Sequence, residues 1–335
     1  MPSFPISPTF AAMKQYALKR LAGMIPLLLG ITIISFGMMH LSPGEPSVVG
    51  QNFDPKVSSQ DIERLRSFYG LDKPLYEQYF SWLQRLVVLD FGNSFSSDNR
   101  PVLDKITERI PVTLWINVLA MAVILLLAVP IGVVSAVRKD SWLDRSLTVF
   151  VFLAFAIPSF WLGLLLMMAL GVNIQLLPIS GMHDYGWQQL PWFEQQLDLL
   201  KHLILPVFIS AIGGLAGMSR FMRTGMLDVI RSDYITTARA MGVPERSIHY
   251  RLALKNALLP MITLLGLSIP GLIGGSVIVE QLFSIPGMGL LFFEAVLSRD
   301  YPLVMGITVI GAVLTLLGNL VADLAYAWAD PRIRQ

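Results

Sequence analysis

Six stretches of this chain are each apolar enough and long enough to cross a lipid bilayer, and placing them leaves little of the fold undecided. A hydrocarbon core about 30 Å thick needs roughly 20 apolar residues in helical form. Residues 21–41, 111–137, 147–172, 203–218, 257–283 and 303–324 meet that requirement, the fourth being the shortest and rich in glycine. Only 14% of the residues are charged, where a soluble domain carries about 25%. The spacing therefore predicts an all-α, polytopic membrane protein with six transmembrane helices. Pro26, Pro130, Pro158, Pro206 and Pro270 lie inside the segments. Neighbouring groups in a membrane bundle satisfy the carbonyls that such prolines free, so they read as kinks and packing points.

Orientation follows from the basic residues. Fifteen of the twenty-five lysines and arginines fall before the first segment, in the second and fourth loops, and after the last segment. The opposite short loops carry only Lys201 and Arg299. Positive residues concentrate on the cytoplasmic side, which predicts that both termini are cytoplasmic. The first segment is too long for a signal-peptide core and reads as a retained anchor. Between it and the second segment, "SSQDIERLRSFYG" predicts a short amphipathic helix from a cap at Ser58 or Ser59 to a stop at Gly70. A second places Tyr79, Trp82, Leu83, Leu86 and Val87 on one face. Both suit packing at the external mouth or in the membrane interface, or docking of a soluble partner.

The search for chemistry returns exclusions. The chain lacks a phosphate-binding G-x-x-x-x-G-K-[ST] loop, H-E-x-x-H and G-x-S-x-G, and it contains no cysteine. His40, His183, His202 and His249 show no metal-ligand spacing and read as interfacial histidines. A net charge of +2 gives no footing for nucleic acid as a partner. Gly287 to Gly289 is read as a tight turn, not a dinucleotide loop. No segment holds an ionisable residue in its central part, since Arg220, Glu280 and Asp323 sit near segment ends. Ion-coupled transport needs such residues at depth. Solute movement against a gradient would then draw its energy from another subunit. A passive channel shares this absence, and a membrane hydrolase built on Ser159 lacks a histidine base within that span.

The most structured polar stretch is "DYITTARAMGVPERSIHYRLALKNALLP", residues 233–260. Asp233 is placed to cap a helix whose one face holds Tyr234, Ile235, Ala238 and Met241, with Thr236, Thr237, Arg239 and Ala240 on the other. Gly242 supplies a left-handed stop, and Pro244 with Glu245 starts a second helix that enters the membrane near Ala257. A basic loop resting on anionic membrane lipid explains the charge; the small-residue turn and apolar stripe suit insertion into a protein groove.

"TTARAMG" followed by "ALKNALLP" resembles the cytoplasmic coupling motif of the inner-membrane permeases of binding-protein-dependent ABC importers, in their dipeptide, oligopeptide and nickel branch. Thr236, Thr237 and Ala238 stand at that motif's Glu-Ala-Ala positions, so the glutamate is absent. "RLAGMIPLLLGITIISF", "YGLDKPLYEQY", "LDFGNSF", "AIPSFWLGLLL", "EQLFSIPGMG", "RDYP" and "DPRIR" extend the resemblance along the chain from about Lys14. It implies a type I importer permease in a bacterial inner membrane, with an N-terminal tail over residues 1–20, a first span over 21–41 and an external segment over 42–110. A five-helix core over 111–330 contains the coupling segment 219–256, and a tail follows over 331–335. The implied partners are a second six-helix permease in a heterodimer, two ATPase subunits and an external solute-binding protein. ATP and magnesium would be held by the ATPases, no cofactor by this chain. Asp233, Tyr234, Thr236, Thr237, Ala238, Arg239, Met241, Gly242, Pro244 and Glu245 are the implied ATPase-coupling residues. Di- or oligopeptides are the implied cargo, with nickel complexes or another small solute as the alternative. Asn117, Ser268 and Asn319 either line the path or hydrogen-bond between helices.

Overall fold

The computed structural model describes residues 10–41, 63, 67, 70–272 and 274–329. Of the helix expected over residues 58–69 only residues 63 and 67 are described, both helical, and the C-terminal "DPRIR" lies outside the described residues. Helix α1, Phe10–Leu41, contains Pro26 and starts ahead of the expected residue 21, since residues 10–20 hold neither proline nor glycine. It is followed by α2, Leu75–Val87, and by α3, Val102–Val137. Next come α4, Trp142–Ala156, and α5, Ser159–Leu166, the latter continuing as a π-helical stretch, Met167–Asn173. Helix α6, Trp192–Ile230, precedes α7, Asp233–Ala240, and α8, Leu254–Ser268. The chain ends with α9, Val277–Leu282, α10, Met288–Leu297, and α11, Tyr301–Ala329. All regular elements among the described residues are helical.

Among the described residues four of these helices are long and apolar enough to cross a membrane, and up to five if α4 and the α5 stretch, bent by 98° to each other, count as one span. The bend sits where Ile157 adopts an extended φ of −76° and ψ of 127° ahead of Pro158, in line with the disfavouring of the helical region for a residue before proline. Similarly, the expected fifth segment is not one helix. After α8 it becomes a 3-10 turn at Ile269–Leu272, and helix resumes only at Val277. Gly275 lies at φ +63° in that break, a conformation open to glycine and costly for other residues. Helix α6, by contrast, overruns the expected residues 203–218 at both ends. Hydropathy marks the apolar middle of a helix, and polar residues at either end do not stop it.

The chain divides into two compact units, one of residues 1–113, 273–277 and 286–335, the other of residues 114–272 and 278–285. In the first, α1 and α10 pack on α11, and Phe36, Trp82, Phe91, Val102, Ile106, Met288 and Leu303 are buried together. Helix α2 lies against α1: the Tyr79 hydroxyl is 3.0 Å from Thr32 Oγ1, and His40 Nε2 is 3.2 Å from Gln78 Oε1. Of its expected apolar face Trp82 is buried, whereas Val87 at the helix end is 79% exposed. "LDFGNSF" and "RDYP" meet here, since the Ser94 hydroxyl donates to buried Asp300, which also accepts the Leu303 N–H at 3.2 Å to start α11. The expected turn at Gly287 is the cap of α10. A Cβ at Gly289 would lie 2.7 Å from the Val277 nitrogen, so that glycine permits a close backbone approach.

In the second unit α4, α5 and α8 pack on α6. Val133, Ala136, Met222, Met226, Ala253, Ala257 and Met261 form its buried centre. Asn117 Nδ2 donates to the Leu272 carbonyl at 2.7 Å, a bond between separate elements. Ser268 instead donates within its own helix, to the Leu264 carbonyl at 2.8 Å.

Candidate functional site

The polar stretch 233–260 folds as a helical hairpin whose turn is set by hydrogen bonds. Ser232, not Asp233, occupies the cap position, with an extended φ of −72° and ψ of 152°; Asp233 falls in the first turn. A carboxylate there still favours the positive end of the helix dipole. At the other end the Gly242 N–H donates to the Arg239 carbonyl at 3.0 Å and the Val243 N–H to the Ala238 carbonyl at 3.1 Å. These two bonds, with Gly242 at φ +80°, are the Schellman arrangement that satisfies the last carbonyls of a helix. Past Pro244, a turn at Glu245–Ser247 runs without interruption through a π-helical stretch, Ile248–Ala253, into α8. The second arm of the hairpin and the membrane helix are thus one rod. Six consecutive π-helical residues are unusual and tend to mark functional places.

Helix α7 packs on the π stretch with Ile235 and Ala238 buried. The face expected to hold Tyr234, Ile235, Ala238 and Met241 is therefore divided. Tyr234 is 46% and Met241 72% exposed, and with exposed Thr237 they stand at i, i+3 and i+7 along the outer side. Thr236 is exposed as well. The Asn256 side chain donates to the Tyr234 hydroxyl at 2.8 Å, fixing that ring to the second arm. Arg239 spans the turn to Glu245 through Nε to Oε1 at 2.5 Å and Nη2 to Oε2 at 3.3 Å. The hydrogen-bonding guanidinium holds the Glu245 carboxyl below its ordinary range. A lowered carboxyl pKa means that the pair contributes fully above the ordinary glutamate value, about 4.3, and is lost as pH falls through the lowered one. The stability difference between the wild type and Glu245→Gln is thus expected to be small at pH 7 and to close in acid, as thermal unfolding from pH 7 to 3 would record. A gap that widens in acid would contradict the pairing.

Directly before the hairpin, α6 is fixed to its neighbours. Arg223 donates through Nε to Asp144 Oδ1 at 3.0 Å and through Nη2 to Oδ2 at 2.8 Å. Asp144 is buried in the first turn of α4, whose cap Ser141 accepts the Asp144 N–H at 3.2 Å. Gly132 of α3 lies against the same turn of α6, where a Cβ would be 2.7 Å from the Ser219 carbonyl and 2.9 Å from the Arg223 nitrogen. Helices α3, α4 and α6 are therefore locked at one level, and α6 runs from there into the hairpin. Neither the Arg223–Asp144 pair nor this close approach was expected from sequence.

Residues 128–335 match the family described as the inner membrane component of binding-protein-dependent transport systems, and residues 13–117 match the N-terminal part of such components. The chain is similar to the oligopeptide transport system permease protein AppB of Bacillus subtilis, with 44% identity over 321 residues, covering 96% of this chain and 99% of that one. It is likewise similar to the dipeptide transport system permease protein DppB of Lactococcus lactis subsp. cremoris, with 36% identity over 322 residues, covering 96% and 100%.

Proposed function

Because the chain belongs to the family of inner membrane components of binding-protein-dependent transport systems, we propose that it imports di- or oligopeptides, driven by ATP hydrolysed on partner subunits. Peptide cargo is supported by the relatives named for oligopeptide and dipeptide transport. The hairpin is the observation that carries the coupling role. Its outer side offers Tyr234, Thr237 and Met241 to a groove, its turn is closed by two backbone bonds, and its second arm continues into α8. A stiff element of this kind passes a push from an ATPase to the membrane helices, where a floppy loop would absorb it. Asp233, Tyr234, Thr236, Thr237, Arg239 and Met241 form the exposed contact set in this reading. Ala238, Gly242, Pro244 and Glu245 hold its shape.

The assembly pairs this chain with a second six-helix permease. Two ATPase subunits holding ATP and magnesium lie on the side of the hairpin, and a solute-binding protein delivers cargo on the other. Both termini lie in the cytoplasm and the chain sits in a bacterial inner membrane. Vesicles containing this chain, its permease partner and the ATPases should accumulate peptide only with ATP and the binding protein. Accumulation on an ion gradient by this chain alone, or ATP-independent conductance, would overturn the reading.

A further inference from the structure

We infer that the end of α6 opposite the hairpin carries a divalent-cation site made by Asp184, Asp198 and His202, suited to a first-row transition ion such as Zn²⁺. One ligand atom from each of the three lies within 4.8 Å of the others, the single such grouping among the described residues. Asp198 and His202 are one helical turn apart on α6 and so share a face. Asp184 arrives from the loop that precedes the helix.

The imidazole is the telling group. The His202 side chain is only 2% exposed, and its Nδ1 lies 2.9 Å from the Asp198 carbonyl oxygen. A carbonyl only accepts, so Nδ1 carries the hydrogen, which leaves Nε2 as the ring atom that can offer a lone pair to a cation. Nε2 makes no hydrogen bond among the described residues, and Asp184 Oδ1 lies 3.7 Å from it. A buried polar atom without a partner is costly. A cation between the nitrogen and the two carboxylates removes that cost and neutralises both negative charges.

Asp198 is held as a ligating carboxylate usually is. His183 Nδ1 donates to its Oδ2 at 2.9 Å, the Asp184 backbone N–H donates to its Oδ1 at 3.2 Å, and the His183 ring stacks on Trp187 at 3.8 Å. One imidazole and two carboxylates favour zinc, manganese, iron or nickel over calcium and magnesium, which prefer oxygen alone. Three protein ligands leave positions for water. Bound there, the ion clamps the loop, whose Gly181 N–H also donates to the Phe283 carbonyl at 2.8 Å, onto α6.

The test uses the full chain purified into lipid nanodiscs and titrated with Co²⁺, whose visible absorption reports coordination, then with competing Zn²⁺ in magnesium-containing buffer. One Co²⁺ per chain, displaced by Zn²⁺, is expected. Asp184→Asn, at a side chain 76% exposed and so harmless to folding, should weaken binding at least tenfold, as should His202→Gln. His183→Gln acts only through Asp198 and should cost about 10- to 100-fold. His249→Gln, in the hairpin, should change nothing. Absence of the cobalt band in the wild type, or unaltered affinity in Asp184→Asn, overturns the inference and leaves a cluster of ion pairs.

Discussion

Replacing Gly242 with proline is expected to abolish ATP-driven uptake while leaving the chain inserted in the membrane. Gly242 lies at φ +80° and its N–H donates to the Arg239 carbonyl. Proline fixes φ near −65° and has no N–H, so it removes both the turn and one of the two bonds that close it. The residue before a proline also avoids the helical region, which affects Met241, now at φ −78° and ψ 2°. Gly242→Ala is the informative companion. No atom lies within 4 Å of a Cβ built there, so alanine meets no steric obstacle and costs only the left-handed conformation, about 1 kcal/mol. Uptake should fall from wild type to Ala and vanish in Pro, while ATP hydrolysis by the bound partners continues unproductively. Uptake assays in reconstituted vesicles, with hydrolysis measured in parallel, separate these outcomes. Normal uptake by Gly242→Pro would remove the hairpin from the coupling route.

Much of this site was legible because its signals are local. A glycine stop, a proline restart and a basic stretch between apolar segments lie within a few residues of one another, and each has a short-range physical meaning. What escaped depended on distance along the chain or on solvation. The stripe assigned by helical period to Tyr234, Ile235, Ala238 and Met241 was divided by the second arm, which covers Ile235 and Ala238 alone. Pro158 was recognised as a kink, yet the 98° between α4 and α5 depends on packing that no single segment encodes. His202 was read as an interfacial histidine by its place in the chain. Its partner Asp198, four residues earlier, was visible, whereas His183 and Asp184 join it only through the path of a loop.

The Arg223–Asp144 pair bridges 79 residues, and it supplies the largest expected stability effect. Asp144→Ala would leave Arg223, whose side chain is 30% exposed, without its bidentate acceptor, and would strip the Asp140 N–H of the acceptor it reaches at 3.0 Å. Removing one partner of a fully buried pair costs about 3–5 kcal/mol; here the cost is smaller, because the partly exposed Arg223 keeps some of its hydration. Unfolding in mild detergent should therefore begin well below the wild-type temperature. Arg223→Lys should recover only part, since an ammonium cannot reproduce the two parallel bonds to Oδ1 and Oδ2. The double variant Asp144→Ala with Arg223→Leu should be more stable than Asp144→Ala alone, because it leaves no orphaned charge. Uptake discriminates further. If the pair holds α4 to α6 so that a push on the hairpin moves α3, α4 and α6 together, the double variant should fold, bind its ATPase partners and still transport poorly. Full transport by a stable double variant would confine the pair to stability and place the transmission in the apolar contacts of Met222, Met226, Ala253 and Ala257 beneath the hairpin.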